Sequence, residues 1–190
     1  MRKTLTAVLG AVLLALVAAP TAAHAVPAAS GPHCAVQLLR QGTVQHCFPT
    51  FREAIAFGTH GAVTDAPDAQ EAATDPDFQA KVESPVARQV FTLIGVEYDA
   101  VNYGGNSFSV FRGSPCSGPV NDVDKQIGNL DVIGWNDKIS SFRTYNNCLA
   151  THYYLTDYQG THFGYWSSQA SMPVIDGINM NDNTRSIRWS

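Results

Sequence analysis

Downstream of residue 89, aromatic and β-branched residues recur in short runs broken by Gly, Asn, Ser and Pro, the signature of strands joined by tight turns. The runs predict strands at 90–98, 107–112, 139–145, 152–156, 161–166 and 184–189. Ile127, Leu130 and Ile133 are spaced for one face of a short helical turn between Val123 and Trp135. Nearer the N-terminus, residues 35–39 are apolar enough for a strand, and Gln41-Gly42 can turn it. Thr50-Phe51-Arg52-Glu53 matches a capping box, which predicts a helix over about 51–57 ending near Gly58 or Gly61. Residues 65–88 carry Asp65, Asp68, Glu71, Asp75, Asp77 and Glu83, three prolines and few large apolar side chains. Such a stretch buries little surface and is expected to be a mobile acidic linker. Its acids lack the spacing and central glycine of an EF-hand loop.

The first 25 residues have another pattern. Arg2 and Lys3 precede an uncharged apolar run from Leu5 to Ala19, and Ala23-His24-Ala25 supplies a small-x-small cleavage site. This is the anatomy of a secretory signal peptide, and the run is shorter than the ~20 residues a bilayer requires. The expected product is secreted and extracellular, with a small-residue leader to Pro32. The organisation expected is a signal peptide at 1–25, a small N-terminal α+β unit at 26–64, the linker at 65–88 and a β domain at 89–190.

Removing two of the 12 basic residues with the signal peptide leaves 10 against 16 acidic ones, a net charge of −6. That gives no electrostatic footprint for nucleic acid or an anionic membrane, whereas surplus oxygen ligands suit a hard divalent cation. Cys34, Cys47, Cys116 and Cys148 all lie in the mature part. An even count in an exported chain favours disulfides. Of the three possible pairings the local one, Cys34–Cys47 with Cys116–Cys148, is preferred; each loop would contribute roughly 3–4 kcal/mol in the chain-entropy model.

Aligned with itself, the β region repeats. Tyr98, Tyr103, Gly105 and Phe108 fall in register with Tyr153, Tyr158, Gly160 and Phe163. Further on, Asn136-Asp137-Lys138-Ile139-Ser140-Ser141-Phe142-Arg143 aligns with Asn181-Asp182-Asn183-Thr184-Arg185-Ser186-Ile187-Arg188. The first block describes a folded hairpin in which tyrosine packs over a turn and glycine takes a backbone angle closed to other residues. The second is an oxygen-rich loop entering a strand.

These blocks resemble the βγ-crystallin family, with its aromatic–x4–aromatic–x–Gly hairpin and its clamp N/D-N/D-x-x-S/T-S. Residues 136–141 fit the clamp throughout; residues 181–186 depart from it at Arg185. The resemblance covers about 89–190, and within the family the chain looks like secreted actinobacterial members, including the metalloproteinase-inhibitor group. It implies a mainly β sandwich of two Greek keys, here preceded by the disulfide-tied α+β segment and the acidic linker. It also implies two Ca2+ sites, each fed by both clamps and a hairpin. Carried across, the ligand side chains are Asp137, Ser140 and Asp182, with Asn136 and Asn181 opening the clamps. Backbone carbonyls are expected near Asp99, Lys138, Tyr154 and Asn183. Arg185 removes a hydroxyl and sets a fixed positive charge at one of the two sites.

No catalytic motif is present, and the chain reads as a non-enzyme. His152 and His162 can meet across a hairpin but are read as exposed strand residues, and Asp122 and Asp124 as solvated loop acids. Three functions are consistent with these features: a calcium-binding module, an inhibitor of extracellular proteases (metalloproteases first), and a toxin or cell-wall-directed binder. For the inhibitor, the candidate is the loop Ser114-Pro115-Cys116-Ser117-Gly118-Pro119, stiffened by prolines and a disulfide. A monomer is expected.

Overall fold

A computed structural model describes residues 32–190. The expected signal peptide and nearly all of the leader lie outside the described residues. The β domain opens with β3 (Thr92–Tyr98), β4 (Ser107–Arg112), β5 (Lys125–Ile127) and β6 (Ser141–Thr144). It repeats with β7 (Ala150–Tyr153), β8 (His162–Trp166), β9 (Ser168–Gln169) and β12 (Ser186–Trp189). A small hairpin, β10 (Val174–Ile175) and β11 (Ile178–Asn179), interrupts the second repeat. The helical turn expected before Trp135 is a 3₁₀ turn at Leu130–Ile133.

Sheet order shows how the repeats interlock. One sheet contains β4-β3-β6-β9 and the other β8-β7-β12-β5. In each, three strands come from one repeat and the third strand of the other repeat crosses over to join them. That is a sandwich of two Greek keys, as the family resemblance implies. Its core packs Ile94, Phe108 and Phe142 of one sheet against Ile127, Ile187 and Trp189 of the other, all buried.

The N-terminal segment continues this architecture. β1 (His33–Leu39) pairs antiparallel with β2 (Gly42–Phe48) and parallel with β4, covering an edge that would otherwise expose unpaired backbone groups. The corresponding edge strand of the second repeat, β8, is uncovered. It is interrupted instead by a bulge at Tyr165, whose φ of 62° lies in the left-handed region. Both disulfides form as preferred, Cys34–Cys47 across the first hairpin and Cys116–Cys148 beyond β4. The capping box is present: Thr50 and Glu53 bond reciprocally at the start of α1 (Phe51–Gly58). Gly58 has a steric reason to be glycine, since a Cβ there would lie 2.1 Å from the Phe111 ring.

The fold corrects two expectations about burial. Part of the stretch expected to be a mobile acidic linker is folded into α2 (Ala69–Ala72) and α3 (Pro76–Val82). Its acids are helix-start residues: Asp68 and Asp75 are N-caps, and Glu71 and Asp77 sit in the first turns. Small apolar side chains suffice for burial here because the helices lie close to a sheet. Ala66, Ala69, Ala72, Phe78 and Val82 form a second core with Val96, Tyr98, Phe111 and Tyr145. Tyr98 Oη donates to Ala69 O at 3.0 Å, and Tyr145 Oη to Ala72 O at 3.1 Å. Covered on both faces, β3 is buried at every position. The second correction concerns His152, which is not exposed. It lies wholly inside the sandwich, with Nε2 2.9 Å from Oε2 of an equally buried Glu97 on the opposite sheet. His152 faces Phe163 across the strand pair and His162 faces Tyr153, so the two histidines are not partners.

Candidate metal centre

Each repeat first builds a folded hairpin. Asn102 and Tyr103 have φ of 55° and 62°, and Asp157 and Tyr158 have 54° and 63°. Each turn carries its second tyrosine back onto the first, with Tyr98–Tyr103 and Tyr153–Tyr158 ring centroids 5.7 and 5.9 Å apart. Gly105 and Gly160, at φ 77° and 75°, provide the expected backbone angle. A Cβ on Gly105 would also lie 2.1 Å from Asp99 Oδ1. The Asp99 carboxylate closes its hairpin by accepting from the Asn106 backbone and side-chain amides at 2.7 and 2.6 Å.

The clamps then tie hairpins and repeats together. At the sixth position, Ser141 Oγ donates to Ala100 O and accepts from the Tyr103 amide; Ser186 does the same with Leu155 O and Tyr158. At the second position, Asp137 and Asp182 both take φ 55°, and each backbone N–H reaches into the other clamp. Asp137 N donates to Thr184 O and Asp182 N to Ile139 O, both at 3.0 Å. At the first position, Asn136 and Asn181 each donate to the following aspartate at 3.2 Å, and each has a buried Oδ1 with no protein donor.

The fifth position breaks this symmetry. Ser140 Oγ lies 2.6 Å from Asp182 Oδ1 and 3.3 Å from the Asp99 carbonyl. A hydroxyl, a carboxylate and a backbone carbonyl from three separate segments thus converge, the donor set that a hard cation takes. At the equivalent place in the other half, Arg185 Nε donates to both carboxylate oxygens of Asp137, at 3.0 and 3.1 Å. Its guanidinium lies over the Tyr154 ring, 5.6 Å from the centroid. The Asp137 hydrogen bond and charge hold the Arg185 pKa still higher than usual. Calcium fits the first arrangement by donor chemistry. It does not fit the second, where a permanent cation already holds the carboxylate.

The remaining expected ligands fall around these two places. The Lys138 ammonium is turned to Gly134 O at 2.6 Å, and Asn183 Nδ2 bonds Asn181 O at 3.0 Å. Tyr154 sits on the Arg185 side. Among the described residues no three acidic, histidine or cysteine side chains converge; the carboxylate that meets Ser140 in the first arrangement is that of Asp182.

The candidate inhibitory loop is fastened through Pro115, Cys116 and Ser117. Cys116 is in its disulfide and donates through its amide to Asn146 O at 3.2 Å. Pro115 O accepts from Arg112 Nη1 at 3.1 Å. Ser117 N and Oγ reach Asp124 Oδ2 at 2.8 and 3.1 Å, and Ser117 Oγ also reaches Asp122. Asp124 Oδ1 in turn pairs with Arg112 at 2.9 Å. Burial opposes the charge on Asp124, but the Ser117 amide and the Arg112 guanidinium outweigh it, and its pKa falls below the usual value. Asp124 is therefore a structural tie rather than a solvated loop acid. A basic residue ending one strand and an acid just before the next, Arg112 and Asp124, was the sequence signal for it.

The topology and paired clamps make this a βγ-crystallin-like sandwich. No family model matches the chain, and no curated protein does. Among solved structures, the N-terminal domain of protein S is similar over 51% of this chain and 94% of its own, with 16% identity and a TM-score of 0.40. A βγ-crystallin domain from Flavobacterium johnsoniae is similar over 51% and 93%, with 24% identity and a TM-score of 0.36. One from Clostridium beijerinckii is similar over 50% and 95%, with 20% identity and a TM-score of 0.36.

Proposed function

We propose that this chain is a secreted, non-catalytic βγ-crystallin-like protein whose sandwich is stabilised by one calcium ion. The ion is held by Asp182, Ser140 and the Asp99 carbonyl, with the neighbouring Asn183 carbonyl and solvent available to complete the shell. The observation carrying this reading is the convergence of Ser140 Oγ, Asp182 Oδ1 and Asp99 O within hydrogen-bonding distance. Bound there, calcium joins the first hairpin to the second clamp and so adds a link between the two repeats. One carboxylate makes the site weak, at the extracellular end of the calcium range, with a dissociation constant on the order of 0.1–1 mM. Two disulfides are consistent with an extracellular setting.

The test is calorimetric calcium titration of the chelator-stripped mature protein, with melting followed in parallel. At a hundredfold excess over the dissociation constant the gain is about 2.7 kcal/mol, or roughly 5–10 °C for a chain of this size. Asp182→Asn should abolish the shift while leaving the calcium-free melting temperature nearly unchanged. No shift in the wild type, or an equal shift in the variant, would remove the assignment.

A second reading has its own observation. The 114–119 loop is exposed at most positions yet held by a disulfide, by hydrogen bonds at Pro115, Cys116 and Ser117, and by the Arg112–Asp124 ion pair behind them. A loop ordered in advance loses little entropy on entering a protease cleft, which supports inhibition of an extracellular protease, metalloproteases included.

A further inference from the structure

The ends of β1 and β4, the residue before β3 and the start of β5 line a pocket of about 410 Å³ that lies apart from the clamps and borders the disulfide loop only at Ser114. Its apolar wall is Leu38, Leu39 and Phe91, and its polar wall is Arg40, Arg112 and Lys125. Three cations in one pocket are unexpected on a mature chain with six more acidic than basic residues. Arg112 is balanced by Asp124, whose two carboxylate oxygens are taken by Arg112 and Ser117. Arg40 and Lys125 enter no ion pair among the described residues. The Arg112 Nε–H is buried without an acceptor, a cost that a native structure rarely carries without a reason.

Apolar walls with convergent, unneutralised cations define a ligand with one anionic end and an apolar body. A carboxylate matches guanidinium geometry, and a pocket of this volume has room for a body of six to ten carbons, roughly, at ordinary ligand packing. We infer that this pocket binds a monocarboxylate with an apolar body, either a free organic acid or the C-terminal residue of a peptide. The carboxylate meets Arg40 and Lys125, while the body lies on Leu38, Leu39 and Phe91. This site does not depend on calcium.

The test is nuclear magnetic resonance titration of the labelled mature protein, disulfides intact, in chelator. The probes are phenylbutyrate, its alcohol phenylbutanol, and acetyl-Gly-Gly-Leu as free acid and as amide. Phenylbutyrate should saturate with a dissociation constant on the order of 1 mM, typical of so small a ligand. Its shifts should centre on Leu38, Leu39 and Phe91. Phenylbutanol should bind at least about tenfold more weakly, because hydrogen bonds to charge are lost. Arg40→Gln combined with Lys125→Gln should weaken phenylbutyrate by a similar factor while leaving the spectrum elsewhere folded. Binding of the free-acid peptide but not its amide identifies a chain terminus as the ligand; binding of phenylbutyrate alone identifies a small acid. Equal binding of acid and alcohol, shifts centred elsewhere, or no saturation by any acid overturns the proposal.

Discussion

Arg185 Nε bonds both carboxylate oxygens of Asp137, so the second repeat carries its own cation where the first brings a serine to an aspartate. The rest of the two halves is closely matched: the same φ at Asp137 and Asp182, the same serine staples, the same reciprocal amide bonds. The difference therefore lies in one side chain rather than in a distorted backbone.

Replacing Arg185 with Ser should release Asp137 and restore a hydroxyl beside it, raising calcium stoichiometry from one to two by calorimetry. In the absence of calcium this partly exposed ion pair is worth little, so stability should change by less than about 1 kcal/mol. Unchanged stoichiometry would show that Arg185 is not what closes the second place.

The Glu97–His152 pair joins the two sheets through the centre of the sandwich, with both side chains fully buried. Glu97 Oε1 and His152 Nδ1 have no further protein partner. Glu97→Ala leaves an unpaired polar ring and a cavity, and should cost about 3–5 kcal/mol in denaturant unfolding. Replacing both with leucine should recover most of that loss, because a buried pair is often no better than well-packed apolar groups. If Glu97→Ala costs under about 1 kcal/mol, the pair contributes nothing to holding the sheets.

What was legible in the sequence follows from locality. The hairpins, the clamps and the Thr50 cap are written in residues a few positions apart, and each forms. Local disulfides were favoured, and both formed. The burial of His152 was not legible because its partner lies 55 residues away on another sheet. Nor was the order of 65–88. Helices of four and seven residues have too little periodicity to read, and their burial depends on the outer face of β3 and its neighbours. The covering of β4 by β1 is a parallel pairing across more than 70 positions, which no local pattern announces. At the metal centre the residue types were legible, whereas the direct Arg185–Asp137 bond needed the fold.

Acid should loosen the disulfide loop before it unfolds the domain. Asp124 has a folded pKa below its ordinary 3.8, so its contribution is present above that value and disappears as pH falls through the lower folded value. Amide protection around Ser117 should therefore persist at pH 5 and drop below pH 4, roughly, in hydrogen exchange. Asp124→Asn should show the loosened loop at neutral pH as well, at a cost of about 1–3 kcal/mol for a lost hydrogen bond to charge. Protection independent of pH down to global unfolding would contradict this account of the loop.

The inhibitor reading depends on that loop staying ordered. Cys116–Cys148 ties it to the turn that opens the second repeat, and Asp124 ties Ser117 to the β4 exit through Arg112. A segment held in this way can occupy a protease cleft in extended form and, if cut, remain in place. Residual activity of thermolysin-like and subtilisin-like proteases should fall with micromolar mature protein. Replacing both Cys116 and Cys148 with alanine removes the tether, and inhibition should weaken at least about tenfold as the loop pays its ordering entropy on binding. Calcium should be present throughout, so that loss of the site and loss of the fold are not confused; circular dichroism of the variant checks the fold directly. Inhibition of neither protease class ends the reading and leaves the calcium assignment untouched. Inhibition that survives in a folded double-alanine variant keeps the activity but moves it off this loop.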